Sequence, residues 1–259
     1  MTATDVLATL PDGASAQVAG EVFGSPHYGG APLRAVAARR GAARLRCASV
    51  LKPLIVWTGG GGRTDDGERA VRFSDNAATN RIWHAGPPGR LLDRIASATG
   101  VRWRTASADP GWFGGVEVSA TELVTAYGAL ARAAAGDPAA ARVVGWMGAV
   151  PPEQAFGIPD ALADTLGVPA SAVAVKAGWI GHPDETALRT HAVAVAERDG
   201  ETVVVAALTA LPYPADRERY QEALRAGRPV VDVHEQIAGP LLRDLLAAAS
   251  RDLARLGAR

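Results

Sequence analysis

The hydrophobic period changes twice along this chain of 259 residues. Residues 4–10 predict a short helix, and Ser15 to Phe23 alternates apolar and polar side chains loosely, predicting a strand. From Glu68 to about Trp146 apolar residues recur every three or four positions, as in Arg90–Thr99 and Ala120–Ala135, which predicts helices. Ser119 ahead of Glu122 is a capping-box signature for the second of these. The last third returns to short runs rich in alanine and β-branched residues: Ala172–Val175, His191–Ala196 and Thr202–Thr209. Asp199-Gly200 between the last two predicts a tight hairpin. Pro240–Leu256 predicts an amphipathic helix with Leu242, Leu245, Leu246, Ala249, Leu253 and Leu256 on one stripe. Strands at both ends and helices between them point to one antiparallel sheet made from both chain ends and flanked by helices. This is an α+β fold of the α/β-sandwich type, with a trimmed all-helical lobe inserted. The expected boundaries within one domain, 1–259, are 1–48 plus 172–259 for the sheet lobe and 49–171 for the helical lobe. A groove between the lobes is the expected binding site.

Between these elements the chemistry is that of turns and loops. Gly24-Ser25-Pro26-His27-Tyr28-Gly29-Gly30 reads as a turn, and Thr105 to Val118 as a loop rich in Gly, Pro and Trp. Gly59-Gly60-Gly61-Gly62 lacks the Gly-Lys-Ser/Thr ending of a phosphate-binding loop and reads as a flexible linker. Lys plus Arg equals Asp plus Glu, at 27 each, so charge gives no reason to expect nucleic acid or an anionic membrane as partner. No apolar run approaches the roughly 20 residues that span a bilayer. The first ten residues lack the basic and apolar regions of a signal peptide, so a cytoplasmic location is expected. The lone Cys47 cannot form an internal disulfide and reads as a small buried hydrophobe. The five histidines, at 27, 84, 182, 191 and 234, have no metal-ligand spacing. Neither a metal nor a cofactor is expected.

Ser49-Val50-Leu51-Lys52 is the most informative short segment. Three residues apart on a helix, Ser49 and Lys52 share a face. Pro53 is tolerated only in a helix's first turn, so the helix, expected over Ala48–Trp57, must begin close to Ser49. The hydroxyl then sits at a helix N-terminus, where the dipole favours developing negative charge. A serine nucleophile needs a base, and a lysine serves only when burial or a cationic neighbour lowers its pKa from about 10.4 toward ~7–8. Downstream come Ser74-Asp75-Asn76 and Lys176-Ala177-Gly178, the latter just after an apolar run. A lysine ending or opening a strand beside small residues can line a cleft, and the trailing glycine lets substrate backbone approach.

Ser-x-x-Lys, then Ser-Asp-Asn, then Lys-Thr-Gly, in that order, resembles the motif set of the class A β-lactamases and penicillin-binding proteins. The resemblance covers nearly the whole chain. It implies a serine hydrolase or acyltransferase acting on an amide or ester, with a small-molecule or peptide-like substrate. It implies that Ser49 attacks a carbonyl and that Lys52 is its base or proton relay. Ser74 would pass a proton to the leaving group. Asn76 would hydrogen-bond Lys52 and a substrate amide, and Lys176 would supply positive potential. The backbone N–H groups of Ser49 and Trp179 would form the oxyanion hole. Gly178, Trp179 and Arg189 would contact substrate, Arg189 being equally readable as a solvated strand-end arginine. Trp103, Trp112 and Trp179 are candidate groove walls, with Trp112 and Phe113 alternatively core plugs.

Three departures bear on the activity. Only 25 positions separate Ser49 from Ser74, which trims the helical lobe and should open the groove. Lys-Thr-Gly is Lys176-Ala177-Gly178, which lacks a hydroxyl whose bond to a charged group is worth roughly 1.5–3 kcal/mol. The loop Val101 to Val118 lacks the Glu-x-x-Leu-Asn motif that activates the deacylating water, leaving Asp109 and Glu117 as its only acids. Efficient β-lactam hydrolysis is therefore not expected. The alternative is a catalytically impaired protein of this fold that uses the groove to bind ligand.

Overall fold

The computed structural model describes residues 1–24, 32–87, 89–105, 111–180, 187–212, 218, 221–223 and 225–258. Strand β1 (Ser15–Phe23) from one chain end and strand β8 (Glu201–Pro212) from the other lie side by side, with Ser15 opposite Ala210 and Phe23 opposite Thr202. With β2 (Arg34–Arg40), β6 (Val173–Ile180) and β7 (Ala187–Arg198) they form an antiparallel sheet in the order β2-β1-β8-β7-β6. The expected α+β architecture, a sheet built from both termini, is the one observed. The β7–β8 hairpin turns at Asp199 and Gly200, both in the left-handed region (φ 52° and 77°), as an Asp-Gly turn requires.

Both faces of the sheet are covered, so its central strands are apolar almost throughout rather than alternating. Along β8, Val203, Val205 and Ala207 pack under helix α1 (Ala3–Ala8), helix α9 (Ile158–Leu166) and the C-terminal helix (Val230–Gly257). Val204, Ala206 and Leu208 pack on the opposite face. There α6 (Ala120–Ala133) lies on the sheet, and α2 (Lys52–Thr58), α5 (Arg90–Thr99) and α7 (Pro138–Gly148) complete the same core. Helices α3 (Asp65–Arg72) and α4 (Asn76–Trp83) lie between α2 and α5, and a single-turn helix, α8 (Pro152–Ala155), precedes α9. The capping box at α6 forms: Ser119 Oγ accepts from the Glu122 N–H at 3.3 Å, and the Ser119 N–H donates to Glu122 Oε2 at 2.9 Å.

Several expectations need correction. The glycine run is no loose linker: Gly59 caps α2, and Gly61–Arg63 forms a 3-10 turn. The loop from Thr105 to Val118 carries strand at both rims. β4 (Arg104–Thr105) and β5 (Val116–Val118) join β3 (Leu45–Arg46) in a small sheet of order β3-β5-β4. The C-terminal helix begins ten residues before Pro240, which lies inside it. The apolar stripe that set the expected boundary starts only at Leu242, and proline is commoner at a helix start than inside one. No helix among the described residues is long and apolar enough to cross a membrane. The turn read at Gly24–Gly30 lies beyond Gly24 outside the described residues, as do His27, Asp109 and His182.

Candidate active site

Ser49 lies in a 3-10 helix, Ala48–Leu51, that runs directly into α2, so Pro53 falls in the first α-helical turn as its chemistry demands. In 3-10 geometry residues i and i+3 eclipse, which puts Ser49 and Lys52 on one face, and the Lys52 N–H donates to the Ser49 carbonyl. Three contacts fix this turn. The Cys47 N–H donates to the Val116 carbonyl at 2.7 Å. The buried Tyr127 hydroxyl, from α6, donates to the Val50 carbonyl at 2.5 Å. Gly178 of β6 packs against the backbone from the other side, where a Cβ would lie 2.5 Å from Ser49 N and 2.8 Å from Val50 N. Gly178 thus serves first to let the strand approach the Ser49 turn. Ser49 itself is half-buried, and its hydroxyl makes no hydrogen bond among the described residues.

Lys52 is fully buried and saturates its three donors. It donates to the Ser74 carbonyl, to Ser74 Oγ at 3.3 Å and to Asn76 Oδ1 at 2.7 Å. Lys176 is also fully buried and donates to the same Ser74 Oγ at 3.1 Å, and to the Ala177 carbonyl at 2.7 Å. Two lysines therefore converge on one hydroxyl. Burial pulls Lys52 down to about 7, against a smaller opposing pull from Asp75 and Cys47. Burial and then the neighbouring Lys52 push Lys176 well below the usual lysine range.

Composition held a signal that motif reading passed over. Of the 27 basic residues only two are lysines, Lys52 and Lys176; the other 25 are arginines. Arginine stays charged in proteins, whereas lysine loses its proton readily when buried. Both of the chain's lysines lie in this cluster, fully buried.

Local backbone geometry supports the cluster. Ala48 and Ser74 are non-glycine residues in the left-handed region (φ 51° and 55°), one beside Ser49 and the other bonded to both lysines. Such conformations cost on the order of 1–3 kcal/mol and persist where the surroundings over-determine them. Asp75 follows Ser74 and caps α4: its Oδ1 accepts from the Ala78 N–H at 3.0 Å, and its Oδ2 from Arg69 Nη2 at 2.7 Å. These bonds, with Ala78 foremost, hold its carboxyl below the usual carboxylate range.

The parity of β6 sorts the other candidates. Lys176 and Gly178 face the helices that carry Ser49, so Ala177 and Trp179 face the opposite way. Lys176 is interior to β6 rather than at its end. The Ala177 methyl is fully buried in the apolar cluster under the C-terminal helix. The Trp179 side chain packs on Phe156 (5.8 Å between centroids) and His234 (6.3 Å), which removes it as a groove wall. Its backbone still lies on the edge strand next to Gly178. Arg189 pairs with Ile180 across β6–β7, on the face of Lys176 and Gly178. His191 sits opposite Gly178, fully buried. Its Nδ1 accepts from the Thr209 N–H at 3.2 Å and its Nε2 lies 2.8 Å from the Arg46 carbonyl. Burial lowers it to about 4, which leaves it neutral and structural.

Trp103 is buried and donates its Nε1–H to Glu122 Oε2 at 3.3 Å, so it is a core residue rather than a wall. Trp112 is 38% exposed with the Arg46 guanidinium 5.6 Å from its ring, whereas Phe113 is the core plug. Burial pushes the Cys47 thiol far up, which keeps it protonated and un-nucleophilic. Glu117 lies in β5, paired with Arg46 and Arg104. Among the described residues no histidine, cysteine and carboxylate cluster could hold a metal.

No family model and no curated protein matches the sequence. Solved structures match its shape over nearly its whole length. PBP-A aligns at a TM-score of 0.62 with 15% identity, covering 98% of this chain and 96% of that one. A β-lactamase from Streptosporangium roseum aligns at 0.57 with 14% identity, covering 99% and 97%. The transpeptidase domain of the FtsI4 D,D-transpeptidase from Legionella pneumophila aligns at 0.54 with 14% identity, covering 95% and 92%.

Proposed function

From the fold of the serine β-lactamases and penicillin-binding proteins, we propose that this chain is a serine acyl-transfer enzyme that forms an acyl-Ser49 intermediate on an amide or ester. The observation that carries the reading is the convergence of the chain's two lysines, both fully buried, on the Ser74 hydroxyl beside the Ser49 turn.

The chemistry follows from proton bookkeeping. Lys52, held near neutrality by burial, accepts the Ser49 proton as the hydroxyl attacks the carbonyl. The Ser49 and Trp179 N–H groups stabilise the oxyanion, and the start of the helix adds a favourable dipole. Ser74 Oγ accepts from both lysines, so its own proton is free to pass to the leaving group and is replaced by the proton that Lys52 took from Ser49. Asn76 orients Lys52 and a substrate amide, while Lys176, Gly178 and Arg189 line the side that takes a substrate carboxylate. With no Glu-x-x-Leu-Asn in the chain, water is not strongly activated against the acyl-enzyme. Transfer to an amine or alcohol, or slow hydrolysis, is favoured over rapid β-lactam turnover.

A chromogenic phenyl ester tests this. A burst of phenol stoichiometric with enzyme is expected, abolished in Ser49→Ala and Lys52→Ala; a burst surviving in Ser49→Ala would refute it. The alternative reading, a ligand-binding groove without turnover, draws on the altered Lys-Ala-Gly and the absent Glu motif. It requires that Lys52→Ala keep full function.

A further inference from the structure

One neighbour of Lys52 takes no part in the proton relay. The ring of Phe113 lies with its centroid 5.5 Å from Lys52 Nζ. Phe113 is 5% exposed and opens the short 3-10 turn Phe113–Gly115 that leads into β5. Trp83 packs on the ring edge-on, with centroids 6.3 Å apart and planes at 62°. The turn packs on the residue two positions before Ser49, where the single S–H of Cys47 is shared between the Phe113 and Ala48 carbonyls, each 3.3 Å from Sγ. Trp83 thus packs on the ring, while Cys47 contacts the backbone that carries it.

The ammonium group needs such a partner. Among the described residues, the titratable groups facing it are Asp75, Cys47 and Lys176. Lys176 repels it, and Cys47 is a buried, protonated thiol. Asp75 bonds Arg69 and the Ala78 N–H rather than Lys52. Lys52 donates its hydrogen bonds to neutral oxygens of Ser74 and Asn76. An aromatic face carries partial negative charge and attracts a desolvated cation without offering it a proton acceptor.

We propose that Phe113 is a positioning residue for Lys52, its ring face stabilising the charged form of the amine and keeping the group aimed at Ser74 and Asn76. For its effect on turnover, this rests on Lys52 serving as the base for Ser49. A carboxylate at the same place would hold the proton too tightly to release it at neutral pH. The quadrupole of a ring gives a weaker pull, suited to a base that must lose and regain a proton each cycle.

The test exploits the lysine count. Protein labelled at lysine Cε shows two lysine resonances, one of which is lost in Lys52→Met and is thereby assigned. Its titration midpoint is followed in wild type, in Phe113→Leu, in Phe113→Tyr and in protein carrying pentafluorophenylalanine at 113. The fluorinated ring keeps nearly the same shape but reverses the sign of the ring face. The midpoint is expected to fall by about one pH unit in the fluorinated protein, to fall less in Phe113→Leu and to hold in Phe113→Tyr. The acid limb of Ser49 acylation should move in parallel. An unchanged or raised midpoint in the fluorinated protein, or in Phe113→Leu should the former not fold, overturns the proposal. A midpoint that falls in the Phe113 variants while wild type never acylates would sink the acyl-transfer reading and leave the role of the ring standing. Acylation with an unmoved midpoint would sink the role of the ring alone.

Discussion

Gly178→Ala isolates the contact that seats the nucleophile. The added methyl would lie 2.5 Å from Ser49 N, 2.8 Å from Val50 N and 3.0 Å from Ser49 Cα, all backbone atoms that no rotamer change can move. Ordinary contact begins near 3.4 Å, so strand β6 and the Ser49 turn must part by roughly 1 Å. Tyr127 and the Cys47 N–H hold the turn from the far side and resist that movement. Overpacking of this kind costs about 1–3 kcal/mol, and a displacement near 1 Å at reacting atoms costs on the order of 100-fold in rate. The rate constant for acylation of Ser49, read by stopped-flow with a phenyl ester, should fall about 100-fold, with a Tm lowered by several degrees. Gly145→Ala is the control. It lies on the exposed face of α7 with no atom of the rest of the fold within 4 Å of a new Cβ, so it should stabilise by about 0.5–1 kcal/mol and leave acylation unchanged. If Gly178→Ala acylates within twofold of wild type, the close approach of strand and turn is not what positions Ser49.

Three further outcomes follow from the same geometry. Acylation should be half-maximal near pH 7 and fail below it, because Lys52 must be neutral to accept a proton; a profile flat from pH 5 to 8 would remove Lys52 as the base. The folded protein holds Lys52 near 7 and the unfolded chain near the ordinary lysine value, so the unfolded state binds more protons between them and stability rises with pH across that window. Measured by urea denaturation, wild type should gain about 2 kcal/mol relative to Lys52→Met between pH 7 and 9, and a constant difference would contradict the depressed pKa. Tyr127→Phe leaves the buried Val50 carbonyl unpaired, which should cost about 1–3 kcal/mol in unfolding free energy and slow acylation without shifting its pH midpoint.

The sequence made the architecture legible where period and turn chemistry agreed. β1 was bounded correctly, the Asp199-Gly200 hairpin was placed, and Ser119 with Glu122 marked the start of α6. Strand β2 escaped notice because Arg34–Arg40 is an edge strand of arginines and small residues with no apolar alternation. The small sheet of β3, β4 and β5 escaped because strands of two or three residues carry no measurable period. Within the site, motif order named Ser49, Lys52, Ser74, Asn76 and Lys176, and the fold brings Lys52, Ser74, Asn76 and Lys176 into direct contact. The orientation of Trp179 was in fact readable: in a strand that aims Lys176 and Gly178 at one face, residue 179 must point to the other. Phe113 was not readable as a partner of Lys52, since only the path of the loop through space brings them together.

The central claim is that Ser49 becomes acylated, and intact-protein mass spectrometry reads this directly. After brief exposure to a reactive ester or β-lactam at pH 8, wild type should gain one acyl mass, mapped by peptide digestion to Ser49 and slow to disappear. Ser49→Ala should gain none. A wild-type protein that stays unmodified under conditions in which it remains folded, or an adduct that maps elsewhere, would contradict the account.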